Sequence, residues 1–263
     1  MVPKRRFCSD PNGVCVLTCF DQKMQCEFES ADVFVRMVDA IKDLCGEGNL
    51  DFGEDGMEMQ VMDPAHVSMC SLLLRRSYFK AFKCDEPLSL GLNFKTLSMV
   101  LRGAKGGLKL KTSGDRLIVE MHKLDCSVSY TLNLMDIDSE HLGIPEIQHS
   151  TLCAMPTTLY TKLMKDLSDF SDTCTINISD KLYISAEGEI GYVKWESGEE
   201  CKCNVRNPVQ PLQFALRYLF LFSKCSVSDK LVIGMSEEMP MCLTFPIEQY
   251  GYMRFYLAPK ITE

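Results

Sequence analysis

The fold is decided by a stretch of sequence that occurs in two versions. The first version begins with DVFVRMVDAIKDL at residues 32–44, breaks at glycine and asparagine, and continues with the strand-like MEMQV at residues 57–61. The second begins with PTTLYTKLMKDL at residues 156–167 and continues with alternating segments at residues 173–178 and 181–186. In both versions a helical period gives way to the two-residue period of a strand. The pattern predicts an internal repeat.

A second unit also occurs twice, each time as a short apolar lead, a helical run and two strand-like segments. These segments lie at residues 90–94, 95–102, 108–112 and 116–121, and again at 211–214, 215–224, 230–235 and 241–245. Each half therefore follows the order helix, strands, helix, strands. This order predicts an α+β fold, with helices packed on one face of an antiparallel sheet. Residues 126–132 alternate between apolar and polar side chains, as expected of a strand in a sheet that is covered on one side only.

The repeat divides the chain into halves of ordinary domain size. We expect an N-terminal domain at residues 24–133, an interdomain connector at 134–150 and a C-terminal domain at 151–263. Residues 1–23 lie outside the repeat and are interpreted as a disordered leader or a mis-assigned start. A nuclear signal in the basic run at residues 3–6 is the less favoured interpretation, because so short a run is a weak signal.

Composition excludes several classes of protein. No run of about eighteen apolar residues occurs, so no membrane span is expected. The fourteen cysteines show no CxxC pair and no zinc-ligand spacing, which favours small buried hydrophobes in a reducing compartment over disulfides or metal ligands. The four histidines form no HExxH motif and no glycine-rich phosphate loop is present. We therefore predict no catalytic function, no cofactor and no metal.

Charge limits how the chain could bind nucleic acid. The net charge of −8 argues against a protein that coats DNA through bulk electrostatics. Basic residues nevertheless occur on each of the four predicted helices, among them Lys95 and Arg102 seven residues apart, while the acids cluster elsewhere. This spacing predicts one basic face that follows a phosphate backbone without reading sequence, although any single helix could be an ordinary solvated face. Because these cations are few, a ring that encloses the duplex is favoured.

Several long segments resemble the proliferating cell nuclear antigen family of eukaryotic DNA sliding clamps. The segments are AIKDL at 40–44, MDPAHVS at 62–68, residues 134–146 including LGIPE, LS at 167–168, PVQ at 208–210, FALRYL at 214–219 and YLAPKI at 256–261. The resemblance implies two similar clamp domains that close into a homotrimeric ring, with helices lining the hole and sheets outside. It implies a nuclear processivity factor that encircles duplex DNA. It also implies that DNA polymerase, clamp loader, nuclease and ligase bind to the ring through short glutamine-aromatic motifs. The ring itself would not be catalytic.

The resemblance also implies roles for individual residues. The DNA-facing positions of the family correspond to Arg36, Lys42, Arg102, Lys162, Lys165, Arg217 and Lys224. A family lysine is replaced by Met99 and a family histidine by Asp169. The inner wall of the ring is therefore expected to be less basic than is usual in the family.

The client-docking pocket of the family corresponds to Met62, His66, Met69, Leu142, Ile144, Pro145, Pro240, Tyr256, Leu257, Ala258 and Pro259. These residues would form an apolar cup for a short helix with an aromatic plug, and the backbone at Ala258 and Pro259 would hold the client glutamine. In the connector, Ile147 replaces a family glutamine and His149 a family tyrosine, so different client preferences are expected. Ser179 stands where many family members carry a lysine that accepts ubiquitin, so that regulation is not expected here.

The subunit interface of the family corresponds to Cys126, Val128, Tyr130, Leu132, Ile190, Tyr192, Lys194 and Glu196. These residues lie on the stretches 126–132 and 190–196, which we expect to be edge strands that pair between neighbouring subunits. Trp195 lies in the second stretch, and simple core packing is an equally good interpretation of it.

Two other interpretations stay open at this stage. The chain could be one subunit of a heterotrimeric checkpoint-type clamp, although such relatives usually diverge in the connector and tail that are preserved here. It could also be a divergent or viral clamp that acts mainly as a peptide-binding client scaffold. The second alternative predicts a monomer or dimer with intact peptide binding.

Overall fold

A computed structural model describes residues 22–123, 126–138, 143 and 148–260. Within these ranges the chain forms four α-helices together with many strands, which confirms the α+β class. The helices are α1 (Asp32–Ile41), α2 (Phe94–Leu101), α3 (Thr157–Ser168) and α4 (Leu216–Phe222). Each helix lies at one of the predicted helical runs. The predicted leader falls almost entirely on residues outside the described ranges.

The N-terminal half contributes the first nine strands. They are β1 (Met24–Phe28), β2 (Glu47–Gly53), β3 (Gly56–Met62), β4 (Ser68–Arg75), β5 (Ala81–Cys84), β6 (Leu88–Asn93), β7 (Lys105–Ser113), β8 (Arg116–Lys123) and β9 (Cys126–Asn133). A short 3-10 turn, Arg76–Tyr78, lies between β4 and β5. The predicted segments correspond to β3, β7, β8 and β9, whereas β1, β2, β4, β5 and β6 were not predicted.

The C-terminal half contributes the other nine strands. They are β10 (Thr151–Pro156), β11 (Thr173–Ile178), β12 (Leu182–Gly188), β13 (Gly191–Glu196), β14 (Lys202–Val205), β15 (Leu212–Ala215), β16 (Lys230–Met235), β17 (Met241–Ile247) and β18 (Gly251–Leu257). The predicted segments correspond to β11, β12, β13, β16 and β17. The strands β10, β14, β15 and β18 were not predicted; β14 and β15 have only four residues each, too few to show a clear two-residue period.

The strands form three antiparallel sheets, and the largest is shared by both halves. Its order is β14-β10-β16-β17-β18-β4-β3-β2-β6. The halves are joined by β18 and β4, which pair from Gly251 opposite Leu74 to Leu257 opposite Ser68. The other sheets have the orders β5-β1-β7-β8-β9 and β13-β12-β11-β15. The prediction named one sheet in each half, and the sheet that joins the halves was not anticipated.

The four helices lie side by side in the order α2, α1, α4, α3. Ser98 of α2 donates to Asp39 of α1 at 2.7 Å, and Tyr160 of α3 donates to the Leu219 carbonyl of α4 at 3.0 Å. Between the halves, Arg36 of α1 donates to the carbonyl of Ser226, four residues after α4 ends, at 3.0 Å. We call this arrangement the helix row.

The helix row is held by the apolar stripe of each helix. On α1 the buried residues Phe34, Met37, Val38 and Ile41 follow the i, i+3, i+4, i+7 spacing of one helical face. On α4 the buried Phe222 stacks on Phe255 of β18, with ring centroids 4.6 Å apart. Exposed basic residues lie on three of these helices, with Arg36 on α1, Lys162 on α3 and Arg217 on α4. No helix in the described part of the chain is long and apolar enough to cross a membrane.

Candidate functional site

The predicted DNA-facing residues all lie on the helix row or at the ends of its helices. Lys162 and Lys165 are exposed on α3, as are Arg36 on α1 and Arg217 on α4. Lys42 and Arg102 follow the last residues of α1 and α2, and Lys224 lies two residues beyond α4. The structure therefore brings the seven predicted cations onto one row that spans both halves.

Two of these cations are already paired within the chain. Lys42 contacts Asp39 at 2.6 Å, and Lys224 contacts Asp43 at 2.6 Å. Burial raises the pKa of the Asp39 carboxyl, but hydrogen bonds from Lys42 and Ser98 outweigh it and keep the pKa below its ordinary value. Asp39 is therefore charged at neutral pH and pairs with Lys42 within the chain. Met99 adds an apolar side chain that is 61% exposed on α2.

A buried hydrogen bond connects the helix row to the turn between β3 and β4. Tyr218 of α4 donates from its hydroxyl to the Asp63 carboxylate at 2.8 Å. The same carboxylate accepts the backbone N–H groups of Ala65, Val67 and Ser68 at 2.6–3.0 Å. Burial alone would raise the pKa of Asp63, but these donors outweigh it and lower the pKa. Asp63 therefore holds the turn as an ionised carboxylate.

The turn that Asp63 organises forms one wall of a cavity of about 380 Å³. Of the predicted pocket residues, Met62, His66 and Met69 line this cavity. His66 adopts φ 56°, in the left-handed region, and its N–H donates to the Asp63 carbonyl at 2.9 Å. The cavity has the size and the mainly apolar wall of a small binding site.

The pocket residues Met62, Met69 and Tyr256 share one face of the shared sheet. Met62 pairs with Met69 across β3 and β4, and Met69 pairs with Tyr256 across β4 and β18. Directly paired residues project to the same side of a sheet. Tyr256 is buried, and burial raises its pKa to about 12, so its hydroxyl stays protonated.

The C-terminal tail runs beside this face. Ala258 donates its N–H to the Val67 carbonyl at 3.0 Å, and Lys260 donates its N–H to the Gln213 carbonyl at 2.7 Å. Pro240 is exposed and directly precedes Met241, which pairs with Leu257. Pro259 is half-buried beside Ala258. Because the Ala258 N–H is already bonded, its carbonyl is the backbone group that could accept a client amide.

Some predicted pocket residues have a different outcome. Leu142, Ile144 and Pro145 lie outside the described residues. Leu257 has no exposed surface and belongs to the core, so the prediction that its side chain lines an open cup is wrong. The reason is strand alternation, which points Tyr256 and Leu257 to opposite faces.

Sequence reasoning missed several residues that line the cavity. They are Cys45, Glu47, Gly48, Asn49, Gln60, Val61, Ile137 and Asp138. Most of them come from β2 and β3 or from the residues just before β2. Gly48 was a usable signal, because a glycine inside a strand marks a close approach, and a Cβ there would overlap the Val61 side chain.

Both described ends of the connector rest on the shared sheet. At one end, Met135 donates its N–H to the Gly91 carbonyl at 2.9 Å, and Asn49 donates from its side chain to the Ile137 carbonyl at 3.0 Å. At the other end, the His149 ring lies against Gly234, where any Cβ would overlap it. Five strands of the sheet separate β6 from β16. The glycines permit both close approaches because they carry no side chain.

The predicted interface stretches are edge strands. In their sheets β9 and β13 each have a partner on one side only. On β9, Val128, Tyr130 and Leu132 are half-buried and alternate with exposed residues such as Ser129 and Thr131, whereas Cys126 at the start of the strand is exposed. On β13, Tyr192, Lys194 and Glu196 face outward while Val193 and Trp195 pack against the core. The predicted start of this strand at Ile190 is wrong, because Ile190 lies in the preceding turn and is 76% exposed.

Two α+β halves joined by a shared sheet, with one helix row across both, define a two-domain clamp fold. The family model described as the N-terminal domain of proliferating cell nuclear antigen matches residues 23–141, and the model of its C-terminal domain matches residues 143–260. A proliferating cell nuclear antigen of Chaetomium thermophilum is 34% identical over 90% of this chain and 98% of its own length. One from Caenorhabditis elegans is 33% identical over 91% and 97%. Proliferating cell nuclear antigen 2 of Drosophila melanogaster is 32% identical over 87% and 94%.

The chain belongs to the proliferating cell nuclear antigen family. It is a DNA sliding clamp that serves replication and repair as a processivity factor and is not an enzyme. The resemblance drawn from the sequence is therefore confirmed.

Proposed function

We propose that this chain assembles into a homotrimeric ring that encircles duplex DNA and tethers replication and repair enzymes in the nucleus. Its domains are residues 24–133 and 151–263, and the connector is residues 134–150. The observation that carries the proposal is the helix row, which gathers the seven predicted cations on one surface of a chain whose net charge is −8.

A ring that encloses the duplex explains how a clamp with so few cations could stay on DNA. Phosphate contacts give binding that is independent of sequence and weakens steeply with salt. On this row Lys42 and Lys224 are already paired with Asp39 and Asp43. The remaining cations would guide the duplex through the ring, and the closed ring itself would retain it. The proposed role of each basic residue is therefore a transient phosphate contact.

Ring closure would use the edge strands β9 and β13. Each has an unpaired side in the single chain, and unpaired strand edges readily accept another strand. A head-to-tail contact between β9 of one subunit and β13 of the next has the heterologous form that closes into rings. The exposed Ile190 and Tyr192 beside this edge are apolar surface that such a contact would cover.

Client enzymes would dock at the cavity lined by Met62, His66 and Met69. A short helix with an aromatic side chain is the expected ligand, because the wall is mainly apolar. DNA polymerase, clamp loader, nuclease and ligase are the proposed client classes. Leu142, Ile144 and Pro145 of the connector are proposed to complete the pocket.

Solution mass tests the ring. Static light scattering over a concentration series should give three times the 29.8 kDa mass of one chain. Addition of a short linear duplex at low salt should raise the mass by that of one duplex per three chains. A mass of one chain at every concentration would contradict the homotrimer.

One observation favours a second candidate, a divergent clamp that acts mainly as a peptide-binding scaffold. The exposed Met99 and the internal ion pairs of Lys42 and Lys224 weaken the basic wall, whereas the cavity lined by Met62, His66 and Met69 does not depend on those cations. This candidate predicts a monomer or dimer that binds a glutamine-aromatic peptide normally. A trimer with three equivalent copies of the chain would also exclude a heterotrimeric checkpoint-type ring.

A further inference from the structure

Three thiols meet at one edge of the shared sheet. Cys153 of β10 pairs directly with Cys203 of the edge strand β14, and Cys201 lies two residues before Cys203. The Cys153 thiol interacts with the thiols of both Cys203 and Cys201. All three are free cysteines that pack in or against the core. Neither the DNA-facing row nor the client cavity uses them.

The strand pairing places two of these cysteines at a separation that suits a disulfide. Directly paired residues of antiparallel strands have Cα atoms about 4.5–5.5 Å apart. A disulfide requires Cα atoms about 4.4–6.8 Å apart. The strand β14 is four residues long and pairs only with β10. It can therefore adjust to the bond without disturbing the rest of the sheet.

The two thiols differ in their access to solvent. Cys153 has no exposed surface, whereas Cys203 is partly exposed. Cys203 also lines an open cavity of about 510 Å³ together with Val205, Pro208 and Val209. A small oxidant that enters this cavity reaches Cys203 first, and Cys153 lies directly opposite Cys203 on the neighbouring strand.

We propose that Cys203 and Cys153 form a redox site, in which a peroxide oxidises Cys203 and Cys153 then closes a reversible cross-strand disulfide. Cys201 is the alternative partner of Cys153 and permits thiol exchange between the two pairings. The site is a modification site separate from the proposed clamp function.

The chemistry balances with hydrogen peroxide as the oxidant. The Cys203 thiolate attacks one peroxide oxygen, the O–O bond breaks, and hydroxide leaves to give a sulfenic acid. The Cys153 thiolate then attacks the Cys203 sulfur, the S–O bond breaks, and the oxygen leaves as water after protonation. Together the two thiols lose two electrons, and the peroxide is reduced to two molecules of water. A thiol reductant reverses the bond by exchange.

The surroundings of the thiols favour a disulfide that forms slowly and reversibly over a permanent structural disulfide. Burial is the largest influence on Cys153, Cys201 and Cys203 and raises the pKa of each thiol. Thiolates are the reactive form, so reaction at neutral pH is slow and accelerates as pH rises. Disulfides in reducing compartments are usually transient or redox-sensing.

The bond would also tie the strand that holds the end of the connector. Directly after β14, Arg206 and Asn207 donate their N–H groups to the Ser150 carbonyl at 2.9 Å and 3.2 Å. Arg206 also donates from its guanidinium to the Gln148 side chain at 3.2 Å. Oxidation at Cys203 would therefore restrain the attachment of residues 148–150.

Thiol mapping on the full chain tests the proposal. The reduced protein is treated with hydrogen peroxide, its remaining thiols are alkylated, and peptides are identified by mass spectrometry. We expect a Cys153–Cys203 crosslink that a thiol reductant removes and whose rate of formation rises about tenfold per pH unit near neutrality. In Cys203→Ser the crosslink should move to Cys153–Cys201, and in the double variant with Cys201→Ser it should disappear.

Cys84→Ser is the matched control, because Cys84 is a partly exposed cysteine on the edge strand β5. The crosslink should form equally in this variant. The proposal is overturned if Cys153 stays alkylatable under conditions that oxidise Cys84, or if Cys203 passes to sulfinic acid without a crosslink. Thiol mapping of the unsubstituted chain tests the proposal even if a serine variant folds poorly.

Discussion

At the scale of single residues, the Asp63 carboxylate joins parts of the chain that are 155 residues apart, because it accepts a hydrogen bond from Tyr218. It also accepts three backbone N–H groups in its own turn. Hydrogen bonds to a charged acceptor are stronger than those between neutral groups. One side chain therefore positions the wall of the client cavity relative to the helix row.

Replacement of Asp63 should change stability in a manner that depends on pH. The pKa of Asp63 is lower in the folded chain than its ordinary 3.8, so its stabilisation is complete above that pH and is lost as pH falls through the folded pKa. Asp63→Asn should lower the free energy of unfolding at pH 7 by about 1–3 kcal/mol, and the difference should shrink in acid. Urea unfolding from pH 7 to pH 3 measures it. Asp115→Asn, at a side chain that is 96% exposed, should change neither the free energy of unfolding nor its dependence on pH. An equal loss of stability in that variant would contradict the role given to Asp63.

Met99 allows the wall of the ring to be made more basic by one substitution. Its side chain is exposed on α2, three residues before Arg102. Met99→Lys should strengthen duplex binding and steepen the slope of log K against log salt by about 0.9, the value for one added phosphate contact. Fluorescence anisotropy with a labelled duplex over a salt series measures the slope. An unchanged slope would place residue 99 away from the DNA.

At the scale of elements, α3 carries two cations whose spacing decides which side they face. Lys162 and Lys165 are three residues apart and are both exposed, while Tyr160, Leu163 and Met164 are buried. The local sequence is enough to predict this arrangement, because helical neighbours are set by the period of the helix alone.

Charge reversal on α3 should weaken DNA binding without altering assembly. Lys162→Glu with Lys165→Glu removes two cations and adds two anions, so duplex affinity should fall at least tenfold at low salt, and the salt slope should fall by about 1.8. Lys80→Glu with Lys83→Glu makes the same charge change beside the edge strand β5. Anisotropy measures the affinity and light scattering the mass. Equal weakening in both variants would show a net-charge effect and not a DNA-facing row.

The strand β4 offers a matched pair for the client pocket. Met69 and Leu73 are both half-buried on the same face of this strand, but only Met69 lines the cavity. Met69→Glu should reduce binding of a glutamine-aromatic peptide by about tenfold or more, because an unpaired carboxylate in an apolar wall is costly to desolvate. Leu73→Glu should leave the affinity unchanged. Isothermal titration calorimetry measures both, and normal affinity in Met69→Glu would remove this cavity from consideration.

At the scale of the whole molecule, the shared sheet and the two open edges determine how the chain could assemble. The pairing of β4 with β18 makes one body of the two halves. The edges at β9 and β13 remain open, with exposed apolar residues beside β13. Buried apolar area would be gained if these edges met in a ring.

Charges placed beside the open edge should dissociate the ring. Ile190→Asp with Tyr192→Asp changes residues that are 76% and 63% exposed, so the single chain should still fold. We expect the mass to fall from three chains to one at concentrations where the unmodified protein is trimeric. Val205→Asp, on the edge strand β14, is the control and should stay trimeric. Trimers in the double variant would refute the proposed interface.

Much of this architecture could be predicted from local sequence. Helix periodicity located α1, α2, α3 and α4, alternation located eight of the strands, including β9, and the family resemblance located β13. These signals depend on residues within a few positions of one another, so they can be recognised in the sequence without knowledge of the fold. The segments 142–146 and 256–261, with several other blocks in the right order, identified the family.

Only the tertiary structure decided which distant residues meet. The hydrogen bond between Asp63 and Tyr218, the pairing of Met69 with Tyr256, and the pairing of Cys153 with Cys203 all follow from strand and helix placement. None of them has a local sequence signal, because packing between distant segments depends on the whole core. The sequence alone determined the four helices, half of the strands, the family and the positions of the cations, whereas the fold decided the walls of the cavity, the burial of Leu257 and the neighbours of each thiol.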